Sequence, residues 1–415
     1  MTRNDGGIGR PSYRDACACV KRSRTLALVH PLFALALVVV AGIGVTRLSR
    51  PQLRPPAWLH DIVATGAPFL LLGLAVGPGL GVLDAPGLRV LTPLLTLGIG
   101  WAGALFGARL EWRMVRRISL RTWIVGATLA VPVLLTTAAL ALILARGFPS
   151  LAQSWGHPSL PVALAVGGAL TTAASHGGRL GRRNALLDTA FGTAAVALAL
   201  AVYQPQFAVR SLMLTLIGGA LLGGLFVGAA RWLLIHEPGD AVIATFAVIL
   251  AGSGFSYAAR LSPFVVCGLA TAVFMSFAPP LVRHAVAGAL TRWEHTLYAV
   301  LLIVAGALLG PISPWVVVAA PALALVRLSV RWVTVRFGLD QVDPVWRSLP
   351  FAPPREFAHS AVRQGASAVA LAAGFDLVRG APGAVMVTIL LSVMAAEALA
   401  TRTPLTASPR QAEVS

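Results

Sequence analysis

Residues Pro161–Tyr203, PVALAVGGALTTAASHGGRLGRRNALLDTAFGTAAVALALAVY, decide the fold that we predict for this chain. Two apolar segments flank a short basic turn. Hydroxyl groups and a histidine interrupt the first segment, and the second carries an acid, Asp188. Because a bilayer offers no water to backbone groups, such interruptions survive only beside protein or a wet cavity. Ionisable groups near them are candidates for function. We therefore expect the other segments to hold this pair near the middle of a membrane.

The composition predicts an all-α polytopic membrane protein. The 415 residues are 57% hydrophobic and 12% charged, and the mean hydropathy is +0.79. Soluble domains carry about 25% charged residues, so this chain has far fewer than a soluble protein of its length. Apolar runs continue from one end of the chain to the other, which is typical of a helical bundle in a bilayer.

The apolar runs are bounded by charges or by proline and glycine clusters, and their lengths suit one hydrocarbon thickness. We predict about thirteen transmembrane helices on this basis. The candidate segments are 26–46, 62–83, 88–108, 120–145, 161–176, 184–203, 207–230, 241–259, 262–278, 296–310, 315–335, 361–377 and 385–400. They form one domain over residues 25–402, between a polar basic tail at 1–24 and a short tail at 403–415.

The net charge of +18 does not indicate nucleic acid. Arginines stand singly or in small clusters at the ends of apolar segments, where topology and anionic lipid head groups favour them. A nucleic-acid footprint would be one contiguous basic face on a recognisable fold. The expected partner is the lipid bilayer.

Loop charge predicts the orientation of the chain. Most arginines follow odd-numbered segments, including Arg327 and Arg331, which we counted with the loop after the eleventh segment. The positive-inside rule then places the odd loops and the C-terminus in the cytoplasm, for a multi-pass protein of the plasma membrane. The same count puts the N-terminus outside, whereas the basic tail at 1–24 favours the inside, so the crossing of the first segment stays open.

Two connections are longer than the others. Residues 336–360 are rich in proline and aromatic residues, and we interpret them as a cytoplasmic connector. Residues 279–293 have charged and apolar faces at helical spacing, so we expect them to lie in the membrane plane before the next span.

No pattern indicates an enzyme. A membrane enzyme needs acid or histidine clusters at an interface, but the acids here are scattered singly, with no HExxH and no phosphate-binding loop. The three cysteines are Cys17, Cys19 and Cys267, and a single CxC lacks the second ligand pair of a zinc site. We expect no cofactor and no resident metal.

The order of several motifs resembles the cation:proton antiporter superfamily, which includes the sodium/proton exchangers. The best stretch is residues 246–275, similar to paired helices joined by a Leu-Ser-Pro turn. The other motifs are GLAVGPGLGVL at 73–83, LTLGIGWAGALFGARLEW at 95–112, ALTTAASHGG at 169–178, NALLDTA at 184–190, LYAVLLIVAGALL at 297–309 and RQGASAVALAAGF at 363–375. The resemblance covers nearly all of the chain after the tail.

This resemblance implies two inverted repeats, with two discontinuous helices that cross in a core domain beside a scaffold domain. It also implies a homodimer. The implied activity is exchange of Na⁺ or K⁺ for protons by alternating access. In such exchangers one carboxylate binds either a cation or a proton, and the core domain moves only when that carboxylate is neutralised, since a bare charge in hydrocarbon is costly.

The chain also departs from the family pattern. The family's carrier acid is the aspartate of an Asn-Asp or Asp-Asp pair. Aligned without a gap, the pair falls on Asp188 and Thr189, but aligned by depth in the helix it falls on Gly192 and Thr193. No lysine or arginine lies between 297 and 309, where many relatives keep a basic partner. A second hypothesis is therefore an antiporter-fold protein without cation exchange, which carries an organic anion or acts as a membrane subunit or sensor.

The predicted ion- and proton-binding residues are Asp188, Thr189, Thr171, Thr172 and Ser175. Asp188 is either the coupling carboxylate or an acid at the membrane edge that pairs with Arg182 or Arg183, five or six residues earlier. The hydroxyl groups either supply oxygen ligands to a cation or donate to preceding helix carbonyls.

Four accessory residues have two interpretations each. His176 is a turn residue at the membrane edge or a proton relay, and Thr193 occupies the second pair position in the alignment by depth. Asp376 is a counterpart of Asp188 or an acid that ends its span near Arg379. Glu294 is a gating or pH-sensing group or a solvated interfacial one.

Overall fold

The computed structural model describes residues 40, 67–75, 85–110, 115–116, 118–156, 160–173, 179–205, 208–233, 240–307, 313–334, 366–380 and 383–402. Throughout these ranges the regular elements are helices and no strand occurs, so the predicted all-α class is confirmed. The predictions for both tails, for the connector at 336–360 and for Ser175 and His176 lie outside the described residues.

Most of the described helices overlap predicted apolar segments from 62–83 onward, whereas the segment at 26–46 lies outside the described residues except for residue 40. The helices are α1 (Ala67–Leu74), α2 (Ala85–Arg109), α3 (Leu120–Gly147), α4 (Pro149–Ser154), α5 (Leu160–Thr171), α6 (Arg179–Tyr203), α7 (Ala208–Leu233), α8 (Asp240–Ala258), α9 (Pro263–Phe277), α10 (Pro280–Ala307), α11 (Pro314–Val333), α12 (Ala366–Arg379) and α13 (Ala384–Arg402).

Local chemistry fixes several helix starts. The Ser119 hydroxyl accepts the Thr122 N–H before α3, which satisfies one of the first backbone donors. Pro263 and Pro314 open α9 and α11, where a missing N–H costs nothing because the first turn has no partner for it.

Four stretches are long and apolar enough to cross a membrane: Leu120–Gly147, Ala185–Tyr203, Val209–Arg231 and Pro314–Val333. Shorter apolar helices include α5, α9 and the second half of α10. The helical membrane architecture is therefore supported. The count of about thirteen spans stays a prediction.

Two elements differ from the sequence prediction. The segment expected in the membrane plane and the span after it form one continuous helix, α10, of 28 residues. Residues 281–306 contain no proline and two glycines, Gly288 and Gly306. The sequence therefore does not force a break in the helix there. The short helix α4 was not predicted, because six residues are too few for a periodic pattern.

Helix α5 occupies the centre of the larger of two buried apolar clusters. It packs against α3, α6 and α12, and its residues from Val162 to Leu170 are largely buried. The smaller cluster lies around Trp101 and Phe274, where α2, α7 and α9 meet. By contrast, α7 exposes large apolar side chains such as Leu221 and Leu225, as a helix facing lipid does.

Glycine lets α5 and α6 approach closely. A Cβ atom added at Gly168 would lie 2.8 Å from the Gly192 carbonyl oxygen and 3.0 Å from the Ala195 Cβ atom. Both obstacles belong to a packed helix and not to the end of a flexible side chain. This contact holds α5 beside the helix that carries Asp188.

Gly168→Ala is expected to destabilise the protein by about 1–3 kcal/mol, because the added methyl group must push two helix backbones apart. The matched control is Gly224→Ala in α7, since a Cβ atom there would meet nothing within 4 Å. Thermal unfolding of both variants in detergent makes the comparison. Equal unfolding midpoints for the two would contradict the close approach.

Candidate functional site

The site begins where α5 stops. This helix has 12 residues and is therefore about 18 Å long, which is short of a hydrocarbon core of about 30 Å. It ends at Thr171, and Thr172 and Ala173 continue without helical structure while remaining buried. The last carbonyl groups of a helix have no partner within it, so they need donors from elsewhere.

Two arginines of α11 supply those donors. Arg327 Nε donates to the Leu170 carbonyl oxygen at 2.7 Å, and its Nη2 donates to the Thr172 carbonyl oxygen at 3.3 Å. Arg331 Nη1 makes a longer contact, 3.5 Å, with the Thr171 carbonyl oxygen. Both arginines are buried, with 0% and 3% of their surfaces exposed. The interrupted end of α5 is thus closed by positive charge.

Asp188 completes this group from α6. Its carboxylate is fully buried, and Arg331 Nη2 donates to its Oδ2 atom in an ion pair. The field of Arg327 also acts on the carboxylate. Among the described residues, the second carboxylate oxygen, Oδ1, has no hydrogen-bond partner, and neither has Arg331 Nε. Each member of the ion pair therefore has one buried polar atom whose hydrogen-bonding capacity is unused within the described residues.

Asp188 lies well inside its helix. Helix α6 begins at Arg179, nine residues earlier, so Asp188 lies about 13 Å along it. Complete burial excludes contact with lipid head groups, and its partner is Arg331 on a different helix. Both interpretations of Asp188, as the coupling carboxylate and as an acid at the membrane edge, stay predictions, and the ion pair that the structure describes joins Asp188 to Arg331.

Among the described residues, positive side chains outnumber negative ones in this group. Two guanidinium groups face one carboxylate, and a buried charge must be compensated by partners or dipoles. The negative end of the α5 dipole, equivalent to about half an elementary charge, contributes to that compensation. Arg327 and Arg331 lie against that end through carbonyl oxygens at 170, 171 and 172.

The predicted threonine ligands donate to their own helices. Thr171 Oγ1 donates to Gly167 O at 2.8 Å, and Thr172 Oγ1 donates to Ala169 O at 2.9 Å. Thr189 and Thr193 likewise donate to carbonyls four residues before them, at 2.8 and 2.7 Å. A hydroxyl group that donates keeps lone pairs with which it accepts or ligates. These bonds orient the oxygens but do not assign them a ligand.

Helix α12, the other expected interrupted helix, packs against α5. Its acid, Asp376, is buried and accepts the backbone N–H of Met386 at 2.9 Å, in the first turn of α13. Asp376 therefore serves the N-terminus of α13, where a negative charge is favourable. The Arg379 side chain donates to the Trp155 and Gly156 carbonyl oxygens, at 2.9 and 3.3 Å, just before α5 begins.

Asp376→Ala is expected to destabilise the protein by about 0.5–2 kcal/mol, since α13 loses an acceptor at its N-terminus. Asp376→Asn keeps an oxygen that accepts the Met386 N–H, so its unfolding midpoint should stay close to that of the wild type. Thermal unfolding in detergent measures both. The accessory ion-binding role predicted for Asp376 would gain support only if the asparagine variant lost transport while remaining stable.

Glu294 lies away from this group. Its carboxylate is 3.8 Å from Arg109 Nη2 and forms an ion pair between α10 and α2 with both side chains partly exposed. Exposed pairs of this kind contribute about 0–1 kcal/mol. Among the described residues, no contact joins Glu294 to the Asp188 group, and the gating role of Glu294 stays a prediction.

Sequence reasoning missed the two arginines of α11. They were assigned to a cytoplasmic loop, but both lie within Pro314–Val333 and are buried. A signal was present, since Arg327 and Arg331 are four residues apart and so share one face of an apolar helix. Charges on one face within a span indicate an internal polar partner. Within the described residues, the basic side chain that pairs with Asp188 belongs to α11 and not to residues 297–309.

Solved structures share this architecture. The chain matches the sodium proton antiporter MjNhaP1 from Methanocaldococcus jannaschii with a TM-score of 0.58 and 14% sequence identity, over 90% of this chain and 96% of that chain. The resemblance inferred from the order of the motifs is thereby confirmed for the fold. The solved neighbour is a transporter and not an enzyme. No protein-family model and no curated protein matches the sequence.

Proposed function

We propose that this protein is a secondary active transporter that exchanges a monovalent cation, Na⁺ or K⁺, for protons by alternating access. The observation that carries this proposal is Asp188, a fully buried carboxylate beside the interrupted end of α5. One of its oxygens is paired to Arg331, and the other has no hydrogen-bond partner among the described residues. The antiporter fold of the chain is consistent with it.

The ion pair supplies a mechanism for coupling. A charged carboxylate inside a membrane needs a compensating partner, and without a bound ligand Asp188 has Arg331, which ties α6 to α11. A proton or a monovalent cation at Asp188 replaces that compensation and frees the guanidinium. Because one carboxylate holds either ligand but not both, loading from opposite sides of the membrane becomes exchange.

Further ligands for the cation come from the adjacent hydroxyl groups. Thr171, Thr172 and Thr189 are buried within the same contact region of α5 and α6, and their oxygens retain lone pairs. Ser175 and His176 follow in the connecting stretch and complete the predicted set. We place this transporter in the plasma membrane with its C-terminus in the cytoplasm, and we propose the homodimer that the family resemblance implies.

A second candidate function is an antiporter-fold protein without cation exchange, such as an organic-anion carrier, a membrane subunit or a sensor. The observation that favours it is that, within the described residues, two buried guanidinium groups lie at the end of α5 beside one carboxylate. A site with that balance attracts an anion more strongly than a site with unpaired acids would.

Reconstituted protein distinguishes the two functions. Proteoliposomes that contain a pH-sensitive dye are exposed in turn to gradients of Na⁺, K⁺ and Li⁺, with choline as the impermeant control. Cation exchange predicts proton movement that requires a permeant cation and reverses when the gradient is reversed. Silence in all three gradients, with anion-driven movement instead, would replace the first proposal by the second.

A further inference from the structure

The carbonyl oxygens at the end of α5 already have a cationic partner. Arg327 is fully buried and donates to two of them, Leu170 O at 2.7 Å and Thr172 O at 3.3 Å. The donors come from Nε and Nη2, so the planar guanidinium spans the last turn of the helix. Since Arg327 belongs to α11, this contact also ties α11 to the interrupted helix.

Free carbonyl oxygens at a helix C-terminus are the kind of group that binds an alkali cation. They are hard oxygen ligands, and the helix dipole adds negative potential. Selectivity among alkali cations depends on how many such oxygens surround the ion and how they are held. A guanidinium on the same oxygens removes them from the ligand set, because one lone-pair direction is occupied and a second cation is repelled.

We infer that Arg327 is a specificity-determining residue, a resident cation that keeps the α5 carbonyl oxygens away from the transported ion. The transported cation then has Asp188 and hydroxyl oxygens as its protein ligands, completed by water. This inference rests on the proposed function, which supplies the cation. Its consequence is weak discrimination by size, since a carboxylate with water accommodates Li⁺, Na⁺ and K⁺ alike.

The chain offers a matched control. Arg379 also donates to two consecutive backbone carbonyl oxygens, Trp155 O at 2.9 Å and Gly156 O at 3.3 Å. These carbonyls precede α5, whereas those bound by Arg327 end it. Replacing either arginine by methionine removes a guanidinium from backbone oxygens, but only one of the two replacements uncovers the oxygens beside Asp188.

The experiment measures cation binding without requiring transport. Purified wild type, Arg327→Met, Arg327→Gln and Arg379→Met are unfolded by heat in detergent over increasing LiCl, NaCl and KCl, with choline chloride for ionic strength. The wild type should show half-maximal concentrations for the three ions within about tenfold of each other. Both Arg327 variants should bind one ion at least tenfold more tightly than the wild type binds it, whereas Arg379→Met should match the wild type.

Each outcome decides the inference. More than tenfold discrimination by the wild type overturns it, and so do Arg327 variants whose ion response equals that of Arg379→Met. Arg327→Gln retains a donor for one carbonyl, so it serves if Arg327→Met is not recovered folded, and the wild-type measurement decides by itself if neither is. Cation binding gained by the Arg327 variants in a protein whose wild type moves no protons would support the inference and remove the proposed function.

Discussion

Asp188→Asn is expected to abolish cation-driven proton movement in proteoliposomes. The amide has nearly the size of the carboxyl group and still offers an oxygen to Arg331, so the local geometry is kept. The asparagine side chain does not ionise at neutral pH. It therefore neither releases a proton nor compensates the charge of a bound cation. Within the described residues Asp188 forms its ion pair with Arg331, and no cluster of three or more histidine, cysteine or acidic side chains is present to take over this role.

The matched control is Asp376→Asn. Asp376 is also a buried aspartate, on α12. Its Oδ2 atom accepts the backbone N–H of Met386 instead of pairing with an arginine of α11. The Asp376→Asn variant should keep cation-driven flux within about twofold of the wild type, because the amide oxygen still accepts the Met386 N–H. Equal reconstitution of the two variants, checked by gel filtration, makes the comparison valid. Undiminished flux in Asp188→Asn would exclude Asp188 as the coupling group.

The fold was predictable from the sequence because bilayer physics leaves few choices. Every backbone group must be satisfied within the membrane, so apolar runs become helices, and α3, α9 and α11 begin within one residue of the predicted segments. The order of glycine-rich and hydroxyl-rich motifs then favoured the antiporter fold, which the solved neighbour confirms. The continuous α10 shows the limit, since no local signal separates an interfacial helix from the first turns of a span.

The site was predictable only in part. The interruption after Thr171 and the acid at Asp188 are visible as polar breaks in apolar sequence, and the structure brings them together. Their partners, Arg327 and Arg331, are separated from Asp188 by 139 and 143 positions in the sequence. Periodicity carries no information about which helices touch at such separations. The positive-inside rule assigns arginines to loops. It therefore led to the assignment of Arg327 and Arg331 to a loop, although both are buried within a helix.

Arg331→Met is expected to destabilise the protein by about 3–5 kcal/mol, the cost of leaving one partner of a buried ion pair without the other. Asp188 would then keep its charge with only Arg327 in range or take up a proton, and both outcomes are unfavourable relative to the pair. The control is Arg109→Met, which removes one partner of the half-exposed pair with Glu294 and should cost about 0–1 kcal/mol. Thermal unfolding in detergent, followed by tryptophan fluorescence, measures both variants.

The double variant Asp188→Leu with Arg331→Met separates the ion pair from the packing around it. Removing both charges and filling the space with apolar atoms should recover most of the stability lost in Arg331→Met, because no unpaired charge remains. Transport should not recover, since the group that binds the proton is gone. A double variant as unstable as the single one would show that Arg331 acts through its contact with the Thr171 carbonyl and not through Asp188. Stability restored together with transport would show that the pair is dispensable for coupling, and the carrier would then have to be sought at another acid.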